Sequence, residues 1–224
     1  MSPKKRKPSP RVQKKREQMR MEILAAARDI LLRDGPDGVT LNAVSGRLHM
    51  TKPALYHYFA SKEALARSLV TALIDEEIEA LMRAVAEEES NDNLLGAIIR
   101  AFHAHYVGRL HAFRFVYGQS QLYTTPEFGM DADMIRDEIT PRTRRLFDVL
   151  ESRLADSALP AERRRSLRRL AFVAWTSALG LVTMLGIADA TRDPLVHSDE
   201  VLVDALAQAF DARVVDQLEN SASR

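Results

Sequence analysis

Residues 40–62 read Thr-Leu-Asn-Ala-Val-Ser-Gly-Arg-Leu-His-Met-Thr-Lys-Pro-Ala-Leu-Tyr-His-Tyr-Phe-Ala-Ser-Lys, and this stretch decides the fold. Thr40 stands where a side-chain oxygen caps a helix start, with Leu41, Val44 and Leu48 pointing inward behind it. After His49-Met50 a second short helix opens at Thr51, with Pro53 in the first turn, where a missing N–H does no harm. Ala60-Ser61 ends it, and Ser61 caps a long helix carrying Leu65, Leu69, Leu73, Ile78, Leu81 and Val85. Two short helices across a tight turn describe a helix-turn-helix, with Leu41, Val44, Leu48, Met50, Leu55 and Phe59 as its small core. The polar remainder of the second helix is then free to enter a major groove.

The helical period continues on both sides. Upstream, Ile23, Ala26, Ala27, Ile30 and Leu31 share one face, and Gly35-Pro36-Asp37-Gly38 ends the run. Three prolines among Ser and Lys in the first ten residues predict disorder there. Downstream, helical segments are expected near 94–108, 110–121, 131–139, 141–157, 161–188 and 199–217, separated by Thr124-Thr125-Pro126, Pro141, Pro160 and Asp193-Pro194. No stretch alternates with period two, so no sheet is expected. The expected architecture is all-α with about nine helices. It comprises a disordered basic arm over 1–15, a three-helix head over 16–65 and a helical body over 66–224.

The pattern from Ile23-Leu24-Ala25-Ala26-Ala27 through Gly35 and Gly38-Val39-Thr40 to Leu55-Tyr56-His57-Tyr58-Phe59 and Ser61-Lys62-Glu63-Ala64-Leu65 resembles the TetR/AcrR family of bacterial transcriptional regulators. His49 departs from that pattern, occupying the turn position where the family usually has glycine. His visits the left-handed region more readily than most side chains, so the turn is tolerable. The resemblance implies a homodimer, a palindromic double-stranded operator and a variable C-terminal domain that binds a small inducer. It also implies roles for residues. Lys52, Pro53 and Ala54 would face base edges, Tyr56 and His57 the backbone, and Lys62 a phosphate. Thr40 and Thr51, at the two helix starts, complete the expected contact set.

Composition agrees with this division. The chain has 224 residues and a net charge of +1, 46% hydrophobic and 28% charged. Residues 1–20 hold nine basic side chains against the single acid Glu17. Residues 1–62 sum to +9 and residues 63–224 to −8, so a basic head precedes an acidic body. Arg11 to Arg20 is expected to add nonspecific affinity for DNA. Pro3-Lys4-Lys5-Arg6-Lys7 also matches a short nuclear-localisation pattern, a match that arises often by chance. Zero cysteines exclude a disulfide scaffold and thiolate metal sites, and fit a reducing cytosol; the resemblance implies a bacterial cytoplasm. Nine scattered glycines leave no phosphate-cradling loop. With no nucleophile, metal or cofactor motif, enzymatic function is not expected, and no cofactor is assigned. An architectural DNA binder without an inducer is the alternative reading.

Ala171–Ala188 is 18 residues without a charge, but Thr176, Ser177, Gly180, Thr183 and Gly186 make it modest for a membrane span. It reads better as a helix buried between subunits, so no membrane partner is expected. The helices at 161–188 and 199–217 are expected to pair across a two-fold axis, the second through Leu202, Leu206, Phe210 and Val214. A ligand pocket is expected between the long fourth helix and residues 94–150, with Phe102, His103, Tyr106, Phe113, Tyr117 and Trp175 as candidate walls. His103 and His105, two apart on a helix, face different ways, so no metal site is expected. Glu87-Glu88-Glu89 reads as a solvated helix end.

Overall fold

Helix α1 (Pro10–Asp34) buries Ile23, Ala26, Ala27, Ile30 and Leu31 along one face. A computed structural model describes residues 9–118, 131–154, 161–194 and 196–210; side chains are not described for 161–164. The described residues form helices joined by short turns and contain no strand. After α1 come α2 (Leu41–Arg47), α3 (Lys52–Tyr56), α4 (Lys62–Glu87) and α5 (Leu94–Tyr106). Helix α6 joins Leu110–Phe113 to a π turn, Arg114–Gly118. Helix α7 joins Ala132–Met134, a π turn at Ile135–Ile139, and Thr140–Leu154. Helices α8 (Ala161–Thr191) and α9 (Asp199–Ala209) complete the described chain.

Two departures from the sequence reading have local causes. Residues 10–15, expected in a disordered arm, are helical, because α1 begins with Pro10 in its first turn, a position suited to proline. Pro141 does not separate two helices. The chain runs through it, and the π turn at Ile135–Ile139 lies just upstream, where proline's missing donor disturbs the regular ladder. The expected separator Thr124-Thr125-Pro126 and Val214 lie outside the described residues.

The chain divides into two units, 1–73 with 111–131 and 74–110 with 132–224. The first holds α1, α2, α3, the first part of α4 and α6. It is larger than the expected head at 16–65 because α4 has no break at residue 65 and α6 packs here. Gly35 makes that packing possible. It closes α1 at φ 76°, and a Cβ there would stand 3.2 Å from the His111 ring.

The second unit is built around α5. Leu94, Leu95, Ile98, Ile99, Phe102 and Tyr106 are buried on it, each worth roughly 1.5–3 kcal/mol of apolar burial. Gly96 lets α9 approach closely, since a Cβ there would be 3.2 Å from the Ala207 carbonyl oxygen. Glu77 of α4 is 1% exposed and accepts a 2.6 Å hydrogen bond from the Tyr106 hydroxyl. Beside it, Arg142 pairs with Asp75 at 2.6 Å and Arg109 with Glu76 at 2.8 Å.

Candidate functional site

The α2–α3 pair is held by its own caps. Thr40 Oγ1 accepts from the Ala43 N–H at 3.1 Å and Thr51 Oγ1 from the Ala54 N–H at 3.4 Å. Between them His49 takes φ 51°, the left-handed turn expected of it. Val44, Leu55 and Phe59 are buried beneath, while Leu41, Leu48 and Met50 are half-buried. Arg47 ties α2 to Asp29 of α1 at 2.8 Å.

Every residue of the expected DNA-contact set lies in this one unit. Thr40, Thr51, Lys52, Pro53, Tyr56, His57 and Lys62 are exposed, and Ala54 is half-buried. Lys52 and Tyr56 are four apart, as are Pro53 and His57, so α3 presents neighbouring side chains along one flank. Tyr56 is 48% exposed, an uncommon state for a large aromatic ring without a partner surface. Ser61 caps α4 through the Ala64 N–H at 3.1 Å, which fixes Lys62 at the first helical position. The Ser61 side chain and its own backbone hold the Glu63 carboxyl below the usual range.

Two basic residues of the 11–20 run also bind within the chain. Arg20 donates to the Tyr58 carbonyl oxygen at 2.6 Å and lies 4.3 Å above the Phe59 ring. Arg16 donates to the His57 carbonyl oxygen at 3.4 Å. Both bind carbonyls just past the end of α3, where a helix leaves acceptors unsatisfied and favours positive charge. Arg16, Arg20, Ile23 and Ala27 follow one stripe of α1, and that spacing is the sequence signal that sets them apart from Arg11 and Lys14. Arg11, Lys14 and Lys15 remain exposed on α1.

Of the six candidate pocket residues, four lie in the second unit and two in the first. His103 and Tyr106 line a hollow of about 740 Å³ between the end of α5, the end of α8 and the start of α9. His103 Nε2 stands 3.3 Å from the Asp199 carboxylate there. Burial pushes that carboxyl up, but hydrogen bonds from Glu200 together with His103 outweigh it and hold Asp199 below its ordinary range. Phe102 is fully buried, edge-on to Tyr106 at 5.1 Å. Phe113 and Tyr117 belong to the other unit and pair with each other at 5.3 Å. Trp175 stands edge-on to Phe147 of α7 at 6.3 Å and tilted against Phe172 of α8 at 5.8 Å. Gly108, at φ 71°, turns the chain between α5 and α6. The hollow is walled by α8 and α9 rather than α4. Among the described residues no cluster of His and carboxylates is placed to hold a metal.

The family model described as bacterial regulatory proteins, tetR family, matches residues 23–69. The uncharacterised HTH-type transcriptional regulator Rv0681 of Mycobacterium tuberculosis is 33% identical over 96 residues, 42% of this chain and 44% of that protein. The HTH-type transcriptional activator FasR of Mycolicibacterium smegmatis is 22% identical over 152 residues, 68% of this chain and 66% of that protein. Both matches therefore cover less than two thirds of the relative's length. Among solved structures, the regulatory protein SCO4313 superposes with a TM-score of 0.66 at 20% identity, covering 91% of this chain and 98% of that one. FadR of Bacillus subtilis, solved in complex with stearoyl-CoA, superposes with a TM-score of 0.58 at 15% identity, over 85% and 97% of the two chains. At these identities the structures speak for the fold, while the match over 23–69 falls on the helix-turn-helix itself. Residues 23–69 are thus similar to the helix-turn-helix of bacterial tetR-family regulatory proteins, and the described chain shares its all-helical fold with solved regulators.

Proposed function

We propose that the chain is a cytoplasmic, ligand-responsive repressor that binds a palindromic operator as a homodimer. The observation that carries the DNA part is α3. Its two ends are fixed, by Thr51 and by Arg20, while Lys52, Pro53, Tyr56 and His57 stay exposed between them. A short helix held so firmly and left bare of partners is suited to a major groove. Lys52 and Lys62 supply charge, Pro53 and Ala54 apolar surface for thymine methyls, and Tyr56 and His57 backbone contacts. Selecting bound duplexes from a random pool tests this. Enrichment of an inverted repeat is expected, and recovery of unenriched sequence favours an architectural binder instead.

The exposed side of α8 supports the dimer. Val173, Met184 and Ile187 are each about half exposed, and they share a stripe with Ser177 and Gly180. Val201 on α9 is 55% exposed. Residues 165–191 of α8 are long and apolar enough to cross a membrane by length and composition, yet only 28% of the apolar window is buried within one chain. A second copy covering 161–188 and 199–217 would bury that stripe as a four-helix bundle. Light scattering should give twice the 25.2 kDa chain mass, and Met184→Glu should shift it toward one chain. The fold shared with a regulator solved with stearoyl-CoA supports a small-molecule inducer, and the hollow beside His103 and Tyr106 supplies a candidate place for one. The inducer would act by binding one of two dimer states more tightly.

A further inference from the structure

A second hollow of the 74–110 and 132–224 unit has a chemistry unlike the first. It lies between α7 and α8, has a volume of about 1080 Å³, and takes Thr143, Arg144 and Phe147 from one helix and Arg165, Arg169 and Phe172 from the other. Its floor is aromatic: the Phe147 and Phe172 rings are 5.8 Å apart, and Trp175 adjoins both. Its rim is cationic. Arg168 is neutralised there by Asp148 at 2.6 Å and Glu151 at 3.0 Å. No carboxylate among the described residues pairs with Arg144, Arg165 or Arg169; Arg169 donates only to Ser166. Three guanidinium groups on a body whose net charge is −8 are therefore concentrated at one recess.

We infer that this recess binds a free single-chain amphiphile with a phosphate or carboxylate head. The guanidinium fork matches either oxyanion group with two parallel hydrogen bonds, and the aromatic floor takes the apolar chain. A neutral amphiphile would leave the arginines with water, and a small anion would leave Phe172, 51% exposed, uncovered. A recess between two helices admits one molecule, whereas a membrane surface presents a plane of headgroups. The recess only borders the dimer stripe: Arg165, Arg168 and Phe172 share one face of α8, Met184 and Ile187 follow Val173 on the next, and Ser166, Arg169 and Val173 stand where the two meet. This inference deepens the ligand-responsive reading, and its binding assay needs no operator, so either can fail without the other.

Trp175 is the only tryptophan of the chain and reports on the recess directly. Dodecyl phosphate, titrated below its micelle concentration, should change Trp175 emission saturably with one site per chain. Arg165→Gln with Arg169→Gln, both exposed side chains, should weaken that binding at least tenfold, and Arg144→Gln alone should weaken it severalfold. Arg145→Gln removes an exposed charge outside the recess and should leave the affinity within twofold. Dodecyl maltoside binding as tightly as dodecyl phosphate, or arginine variants with unchanged affinity, would overturn the inference. A response only to phosphatidylglycerol vesicles would assign the arginines to a membrane surface instead. Emission that changes on dilution without ligand, with no response to dodecyl phosphate, would assign the recess to a second copy of the chain.

Discussion

Arg20 separates two roles that a basic residue near a DNA-binding head can have, and replacing it measures which applies. Its 2.6 Å bond to the Tyr58 carbonyl is charge-assisted and part-buried, worth roughly 1.5–3 kcal/mol. The guanidinium 4.3 Å above Phe59 adds about 0.5–1 kcal/mol. The side chain is 30% exposed, so water partly replaces what is lost. Arg20→Ala should therefore destabilise the chain by about 2 kcal/mol, read as a urea midpoint about 1 M lower. Arg20→Lys should recover part of this, since an ammonium can meet the carbonyl but cannot stack as a plane. DNA affinity should fall because the end of α3 frays. The slope of log affinity against log salt should not change, because no phosphate contact is removed. If Arg20 instead met a phosphate, the slope would shrink by about 0.9 and stability would hold. That second pattern would refute the capping argument.

The other predictions read different parts of the molecule. Lys62→Ala should reduce the salt slope by about 0.9 while shifting the unfolding midpoint little. Gly35→Ala forces a left-handed alanine against His111 and should cost about 1–3 kcal/mol in thermal or urea unfolding. Tyr106→Phe removes the donor to the buried Glu77 carboxylate and should cost about 1–3 kcal/mol; a neutral effect would mean that Glu77 is held by other partners. Because the Asp199 carboxyl is depressed on folding, its contribution to stability is present above its unfolded value near ~3.9 and fades as pH falls through the lower folded value. Asp199→Asn should flatten the pH dependence of stability below about pH 4, and identical acid limbs for the two proteins would contradict this.

Much of the head was legible because its signals are local. The α1 stripe, the Thr40, Thr51 and Ser61 caps and the His49 turn each depend on residues within four positions of one another. What joins distant positions was not legible. Arg20 meets a carbonyl 38 residues away, and a carbonyl is common to every residue, so no side-chain pattern announces it. The aromatic residues at 102–117 read as one pocket because they are close in sequence, yet the Gly108 turn distributes them between two units. The π turn before Pro141 likewise escaped a reading that takes proline as a stop. The arginines at 163–169 were visible as a block, but the ion pairs of Arg168 distinguish neutralised members from the ones left at the recess.

Whether α3 reads sequence is decided by competition, at one fixed salt concentration, between the duplex enriched by selection and a scrambled duplex of equal length. A preference of at least about 10³-fold for the enriched duplex is expected, falling by tenfold or more in Lys52→Ala where that side chain meets a base. A ratio near one for the unsubstituted chain would contradict it, leaving a basic head that binds DNA without reading it.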